Sequence, residues 1–364
     1  MKFCNIAAIT ILLQMAMFTS AANVTTTDTN ITGASAATAT AATTNSTNST
    51  STADSSTADG FTPIDGDFSL VEIITIAPKC PRNEKTTYPK AMFTIIPSTV
   101  AYVSSYPANL VTPVVNGSVL EFEWNDAVSR GAKSGGVRIG LPPDQLNGLS
   151  LDHTLTAQIL SGFTSGPKLR VEGASTLKAT LSSPNSDFSL EVDGVSTVHV
   201  VSNAQGSVLS NGASTVKVQA PLLTSIQSDG VSTVEIDGNV DGGSVDGAST
   251  IVVTGDISGS LSITGVSTLN ANTISGLIDS DGASTVNAAS CDNVKSGTTS
   301  SCKIKGPPSV NVDASPFGAI STNTCECSEF VFTCNSNGSS IGSSISFAIA
   351  FVAGASTLVA FLVM

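Results

Sequence analysis

The chain is 364 residues long, with a formal net charge of −13, only 12% charged residues and two histidines. So acidic a surface lacks the basic footprint that phosphate recognition needs, which excludes nucleic acid as a partner. The length suits one large domain or two.

Residues 1–22 read as a secretory signal peptide. Lys2 supplies the positive start, an apolar run follows to Phe18, and Ser20, Ala21 and Ala22 form a small-residue cleavage site. A membrane anchor is the competing reading of that run. Cleavage removes Cys4 and leaves Cys80, Cys291, Cys302, Cys325, Cys327 and Cys334. An even set in a secreted chain reads as disulfides, with the pairing open. Residues 23–60 are almost wholly Ala, Ser, Thr, Asn and Asp. Such a segment has too little apolar surface to offset its ordering entropy, so it is expected to be a disordered, glycosylated stretch. N-glycosylation motifs fall at Asn23, Asn30, Asn45 and Asn48, with others further on at Asn116 and Asn337.

Residues 61–166 carry short β-rich runs, such as 68–76 and 118–124, separated by Pro, Gly and Asn. Asn116 and Gly117 signal a hairpin turn. Residues 136–141 read as a further strand, ended by Pro142 and Pro143, which cannot donate to a ladder. These strands lead into the part that organises the chain.

Across residues 167–290 one phrase recurs seven times: Gly, then Ala or Val, then Ser, Thr and an aliphatic residue, starting at Gly173, Gly194, Gly212, Gly230, Gly247, Gly265 and Gly282. Successive glycines lie 21, 18, 18, 17, 18 and 17 residues apart. A period of this length marks stacked coils that bury their apolar side only against neighbours. The expected fold class is therefore all-β, a parallel β-helix (solenoid) of about 18-residue coils. Alternate strand residues share a face. The Ser, the aliphatic residue and the position two further on are thus expected inside. Leu169, Leu190, Val208, Ile226, Leu261 and Ile278, four residues before their glycines, add a second inward column. Thr176, Thr197, Thr215, Thr233, Thr250, Thr268 and Thr285 then point outward. So does a variable column of Lys178, His199, Lys217, Glu235, Val252, Asn270 and Asn287. Asp193, Asp229, Asp246 and Asp281 precede glycines and suit tight corners. The residue after each glycine alternates Ala and Val without exception. Either a two-repeat unit was duplicated, or each turn holds two repeats on opposite faces.

The strand lead-in (116–122, then 137–142) and the serial Gly-Ala/Val-Ser-Thr phrase resemble the auto-transporter adhesin head domain, also called the GIN domain. The resemblance spans about residues 68–288. It implies a β-helix with a surface or adhesin role, and it brings no catalytic residues. The Ser/Thr-rich stretch, the Cys-rich end and the apolar tail depart from that family and suggest a eukaryotic surface protein.

Residues 291–334 are expected to form a Cys-rich cap, because an open β-helix end is an unpaired sheet edge. Cys291 and Cys302 would staple the last coil, Cys325, Cys327 and Cys334 form a small cluster, and Cys80 would tie the first strands to a neighbour. Zinc is the rival reading, although structural sites favour other spacings. Residues 335–364 read as an anchor signal. Ile345 to Met364 carries no charge and follows a small polar stretch. That is the pattern of a glycosylphosphatidylinositol anchor, attached at Ser336, Asn337, Gly338 or Ser339. A single membrane-spanning helix is the alternative. Gly354 to Leu358 repeats the coil phrase, but no matching phrases fill the interval behind it.

Chemistry-bearing constellations are few. The recurring aspartates could serve polysaccharide cleavage, which needs two carboxylates roughly 5–10 Å apart, or weak Ca²⁺ binding, yet a corner role accounts for their period. His153 and His199 belong to no Ser-His-Asp arrangement. No catalytic residue, metal ligand or cofactor is assigned. The outward threonines are the candidate binding face. The function expected is that of a non-enzymatic cell-surface protein, in adhesion or in wall or surface structure. An extracellular polysaccharide-active enzyme and an ice- or carbohydrate-binding β-helix are the alternatives. The partners expected are the membrane, through the tail, and extracellular glycans or wall polymers.

Overall fold

The computed structural model describes residues 60–77, 86–89, 91–125, 135–317, 324–328 and 331–335. These residues contain strands and no helix. The predicted parallel solenoid is present, and its coils are wound one phrase at a time. Thr176 lies in register on Thr197, Thr197 on Thr215, Thr215 on Thr233, Thr233 on Thr250, Thr250 on Thr268 and Thr268 on Thr285. Each phrase therefore makes one full coil, and the reading with two repeats per turn is excluded. The Ala/Val alternation spans neighbouring coils instead.

The stack continues past the phrases at both ends. Thr156–Ile159 pairs below Thr176–Leu181, and Ser301–Ile304 pairs above Thr285–Ala288, giving nine consecutive coils. Sequence alone hid both. In the first coil, His153 stands where the glycine would be, with φ of 71°. In the last, Ser300 repeats the inward serine, its hydroxyl donating to Gly297 O and Ser280 O.

A second side is formed by the strands that precede the glycines, from Gly148–Leu151 and Lys168–Val171 through to Ile278–Ser280 and Val294–Ser296. From Leu223 onward a short third side appears, where Leu223 pairs Val240, Val240 pairs Ile257 and Ile257 pairs Ile274.

The columns explain why these residues stack. Leu177, Val198, Val216, Val234, Ile251, Leu269 and Val286 are all sealed from solvent, as is the column from Ala179 to Ala288. Each buried aliphatic side chain stabilises the stack by roughly 1.5–3 kcal/mol relative to exposure. The inward serines are sealed too, and a buried hydroxyl needs a partner. Ser196 donates to Asp193 O at 3.1 Å, Ser214 to Asn211 O at 3.1 Å and Ser267 to Thr264 O at 3.0 Å. Serine is thus the residue that both fills the corner and ties back its last carbonyl. One coil breaks the upstream aliphatic column: Gly243 lies between Ile226 and Leu261. A Cβ at Gly243 would stand 1.8 Å from Ile226 O, so the backbone itself fills that place.

The starting end is capped by antiparallel strands. Tyr102–Tyr106 covers Gly135–Leu141, Thr62–Ile64 covers Tyr102–Tyr106, and Val111–Asn116 covers Val119–Trp124. Phe93 packs there against Phe122 and Trp124, with ring centroids 5.5 and 6.3 Å apart. At the far end Cys291 and Cys302 form the expected disulfide. Closing an eleven-residue loop in the unfolded chain is worth roughly 3 kcal/mol. We expect the double variant Cys291→Ser/Cys302→Ser to speed amide exchange in residues 285–304 while leaving earlier coils unchanged, as read by hydrogen-exchange mass spectrometry. Cys80 and the side chains of Cys325, Cys327 and Cys334 lie outside the described residues.

Among the described residues, none after Ile304 adds a strand to the far end. Residues 305–317 instead run back along the side of the stack, and Thr324–Ser328 then pairs with Thr86–Pro89 and Val331–Asn335. Eight coil steps span roughly 38 Å, and the twelve steps from residue 305 to residue 317, near full extension, reach about 40 Å. Among the described residues, the outer edges of Val294–Ser296 and Ser301–Ile304 carry no further strand. The exposed side chains of Lys295 and Lys303 sit on those edges, a common device against edge-to-edge pairing.

Candidate functional site: the threonine ladder and its strap

The corners fix the outward face. Gly173, Gly194, Gly212, Gly230, Gly247, Gly265 and Gly282 all have φ between 69° and 86°, a region open to glycine at little cost. The residue after each glycine donates to the corner carbonyl one coil below, Ala174 to His153 O at 2.6 Å and the others to a glycine, as Val231 does to Gly212 O at 2.7 Å. The hydrogen-bond ladder therefore passes through the corner unbroken. Gly194, Gly230 and Gly247 each donate their N–H at 2.6 Å to Oδ1 of the preceding Asp193, Asp229 and Asp246, and Gly282 donates to Asp281 at 2.7 Å. These carboxylates are occupied in the turn. Asp246 also accepts from Thr264 Oγ1 at 2.8 Å, and that hydrogen bond holds its carboxyl below the usual range.

His153 is the corner that departs from glycine. Its Nδ1 lies 3.0 Å from Asp152 Oδ2, and that hydrogen bond raises the imidazole pKa and lowers that of Asp152. The folded state holds the His153 proton more tightly than the unfolded chain. Its contribution to stability is complete below the ordinary value of 6.5 and is lost as the pH climbs through the higher folded value. The depressed Asp152 contributes above its ordinary 3.8 and is lost as the pH falls through its lower folded value. The melting temperature should therefore decline from pH 6 to pH 8 in the wild type. In His153→Asn, thermal scans across that range should show a flatter dependence.

The seven predicted threonines stand in one straight column, and the structure adds an eighth. Thr156 pairs Thr176 in the first coil, where the residues at 153–156 replace Gly-Ala-Ser-Thr and so concealed it. The eight side chains rise at about 4.8 Å per coil, covering roughly 34 Å. All are half-buried. Among the described residues none of their hydroxyls bonds another protein group. On the corner side they are flanked by the Ala/Val column, where Val231 and Val266 are 63% and 55% exposed.

On the other side the variable column faces outward, as expected, but it is not bare. Residues 305–317 form a strap across it. Lys178 Nζ donates to Asp313 Oδ2 at 3.0 Å and to Ser315 O at 3.2 Å, and it stands 4.9 Å from the Phe317 ring centroid. His199 Nδ1 lies 2.7 Å from Asp313 O, so that nitrogen carries the proton. Phe317 N–H donates to Gln158 Oε1 at 2.8 Å, and buried Gln158 donates to Thr94 Oγ1 at 2.9 Å. Asp313 is held down at about 2, first by hydrogen bonds from Ser315 and then by Lys178. The carboxylate side of this latch therefore stays charged through the neutral and mildly acidic range. Beyond the latched coils, towards the far end, Lys217 pairs Glu235 at 2.8 Å, and Asn287 donates to Asn270 at 2.8 Å. Near its start the strap leaves a crevice of about 320 Å³ against Val252, Asn270 and Asn287. The Lys178 charge thus serves the strap, a pairing invisible to local pattern because its partner Asp313 lies 135 residues away.

No known protein family matches the chain, and no curated protein matches it in sequence. Several solved structures resemble it weakly, two candidate adhesins among them. One is a candidate adhesin from Bacteroides fragilis NCTC 9343, at 13% identity and a TM-score of 0.39, covering 61% of this chain and 96% of that one. The other is a candidate adhesin from Parabacteroides distasonis ATCC 8503, at 11% identity and a TM-score of 0.29, covering 68% of this chain and 94% of that one. Membership of the GIN family is not shown.

The remaining predicted sites divide simply. Asn116 is exposed at the hairpin turn beside Gly117, whose φ is 64°. Asn23, Asn30, Asn45, Asn48, Ser336, Asn337, Gly338 and Ser339 lie outside the described residues. Among the described residues no helix is long and apolar enough to cross a membrane.

Proposed function

We propose that this chain is a non-enzymatic cell-surface rod that binds hydroxyl-rich extracellular polymers, glycans or wall polysaccharides, along its threonine ladder. The observation that carries the reading is the ladder itself. Eight half-buried hydroxyls, without protein partners among the described residues, stand at a constant rise on a backbone fixed by corner glycines and inward serines. Each contact to a sugar hydroxyl is weak, and a row of them on a rigid support gains through multivalency. The chain is secreted, glycosylated at Asn116 and within residues 23–60, and held at the membrane by its apolar tail through a lipid attached within 336–339.

Two measurements test this. The ectodomain, residues 23–335, is applied to glycan arrays and to wall polysaccharides, with turnover of each bound polymer followed in parallel. Binding without turnover is expected; release of shorter sugars would replace the reading by an enzymatic one, and ice-recrystallisation inhibition without glycan binding by an ice-binding one. On cells, a phospholipase specific for inositol lipids should release the full chain, whereas retention would point to a spanning helix.

A further inference from the structure

Both ends of the described chain are held at one end of the rod. Thr62–Ile64 enters on the antiparallel cap of the starting end. After nine coils the strap carries the chain back, fastened on Gln158 of the first coil and on Lys178 and His199 of the next two. Thr324–Ser328 then pairs with Thr86–Pro89, Thr324 opposite Pro89, two residues before the strand Ala91–Pro97 that lies beneath the first coil. Val331–Asn335 adds to the same small sheet. Asn335 therefore leaves from the starting end. Ten chain steps lead from it to Ile345, where the apolar tail begins. Fully extended they reach about 35 Å at most, less than the roughly 38 Å of eight coil steps.

The geometry points to a fixed polarity of display: the starting end faces the membrane and the coil closed by Cys291–Cys302 is the outermost surface. This rests on the proposed attachment through the tail. A lipid within 336–339 would shorten the tether and hold the starting end closer still. The surface presented first is then the open rim of Val294–Ser296 and Ser301–Ile304, with exposed Lys295, Lys303 and Ile304, the last 75% exposed. The threonine ladder runs along the flank from that rim towards the membrane.

The test uses the full chain on cells. A short tag for enzymatic fluorophore coupling is inserted either after Thr99, in the exposed loop at the starting end, or after Thr298, at the far rim. Energy transfer to an acceptor dye in the outer leaflet is measured for each. A second pair, after Asp65 and after Asp292, gives the same comparison if an insertion prevents folding. Transfer from the starting-end label should exceed that from the far label by about twofold or more. Equal transfer would mean a rod lying flat, and reversed transfer a rod planted by its far end; either overturns the polarity alone. Chain found only in the medium would overturn the attachment reading, and the polarity with it.

Discussion

Gly230→Ala should cost about 4 kcal/mol of folding stability, read from the midpoint of urea unfolding of the ectodomain. Two terms add. Alanine at a φ of 86° costs roughly 1–2 kcal/mol. The new Cβ would also stand 2.5 Å from Gly212 O, and overpacking against backbone costs typically 1–3 kcal/mol. The contact cannot relax cheaply, because Gly212 O accepts the N–H of Val231 at 2.7 Å and moving it breaks the corner ladder. Gly306→Ala is the control. Nothing lies within 4 Å of a Cβ there, so the change should stay within about 0.5 kcal/mol. Equal effects at the two positions would mean that the corner glycines are not packed coil on coil.

Leu269→Ala should cost about 3 kcal/mol by the same measurement. Its side chain is fully buried and lies in register between Ile251 and Val286. Stacked coils cannot close over the cavity without losing the hydrogen bonds above and below, which places this site within the usual 2–5 kcal/mol for such truncations. Ser267→Ala, two residues earlier in the same coil, should cost only about 1 kcal/mol, the net worth of one hydrogen bond. The ratio identifies the aliphatic column as the main source of stability and the serine column as the one that sets the corner. A serine cost equal to the leucine cost would reverse that assignment.

Particular residues show where the pattern could be read and where it could not. The seven glycine phrases disclosed the coil, its inward columns and the outward threonines, because each depends on a local period of two within a longer period of 17 to 21 residues. His153 concealed a coil because the corner needs a backbone conformation rather than a residue type, and histidine can be held there by Asp152. Gly243 interrupted an aliphatic column because close backbone approach replaced a side chain. The strap left no periodic trace at all. Its contacts join Asp313 to Lys178 and Phe317 to Gln158, across 135 and 159 residues. Long-range pairing of this kind is a property of the closed stack, and local spacing cannot announce it. The Ala/Val alternation was legible but left the number of repeats per turn open, which only the coil-on-coil register decided. Nothing in the packing explains it, and it remains exposed beside the threonines.

A charge placed on the threonine ladder is the most direct test of a binding role. Thr233→Lys with Thr250→Lys puts two lysines on adjacent coils of the ladder. Ser244→Lys with Ser262→Lys puts the same charge on adjacent, exposed positions of the second side. Affinity of both ectodomain variants is measured for the polymer that the wild type binds. The ladder pair should weaken binding about tenfold or more, a loss of at least about 1.4 kcal/mol, while the second-side pair stays within about twofold. Equal losses from the two pairs, or a wild type that binds no glycan or wall polymer at all, would contradict a binding face built on these threonines.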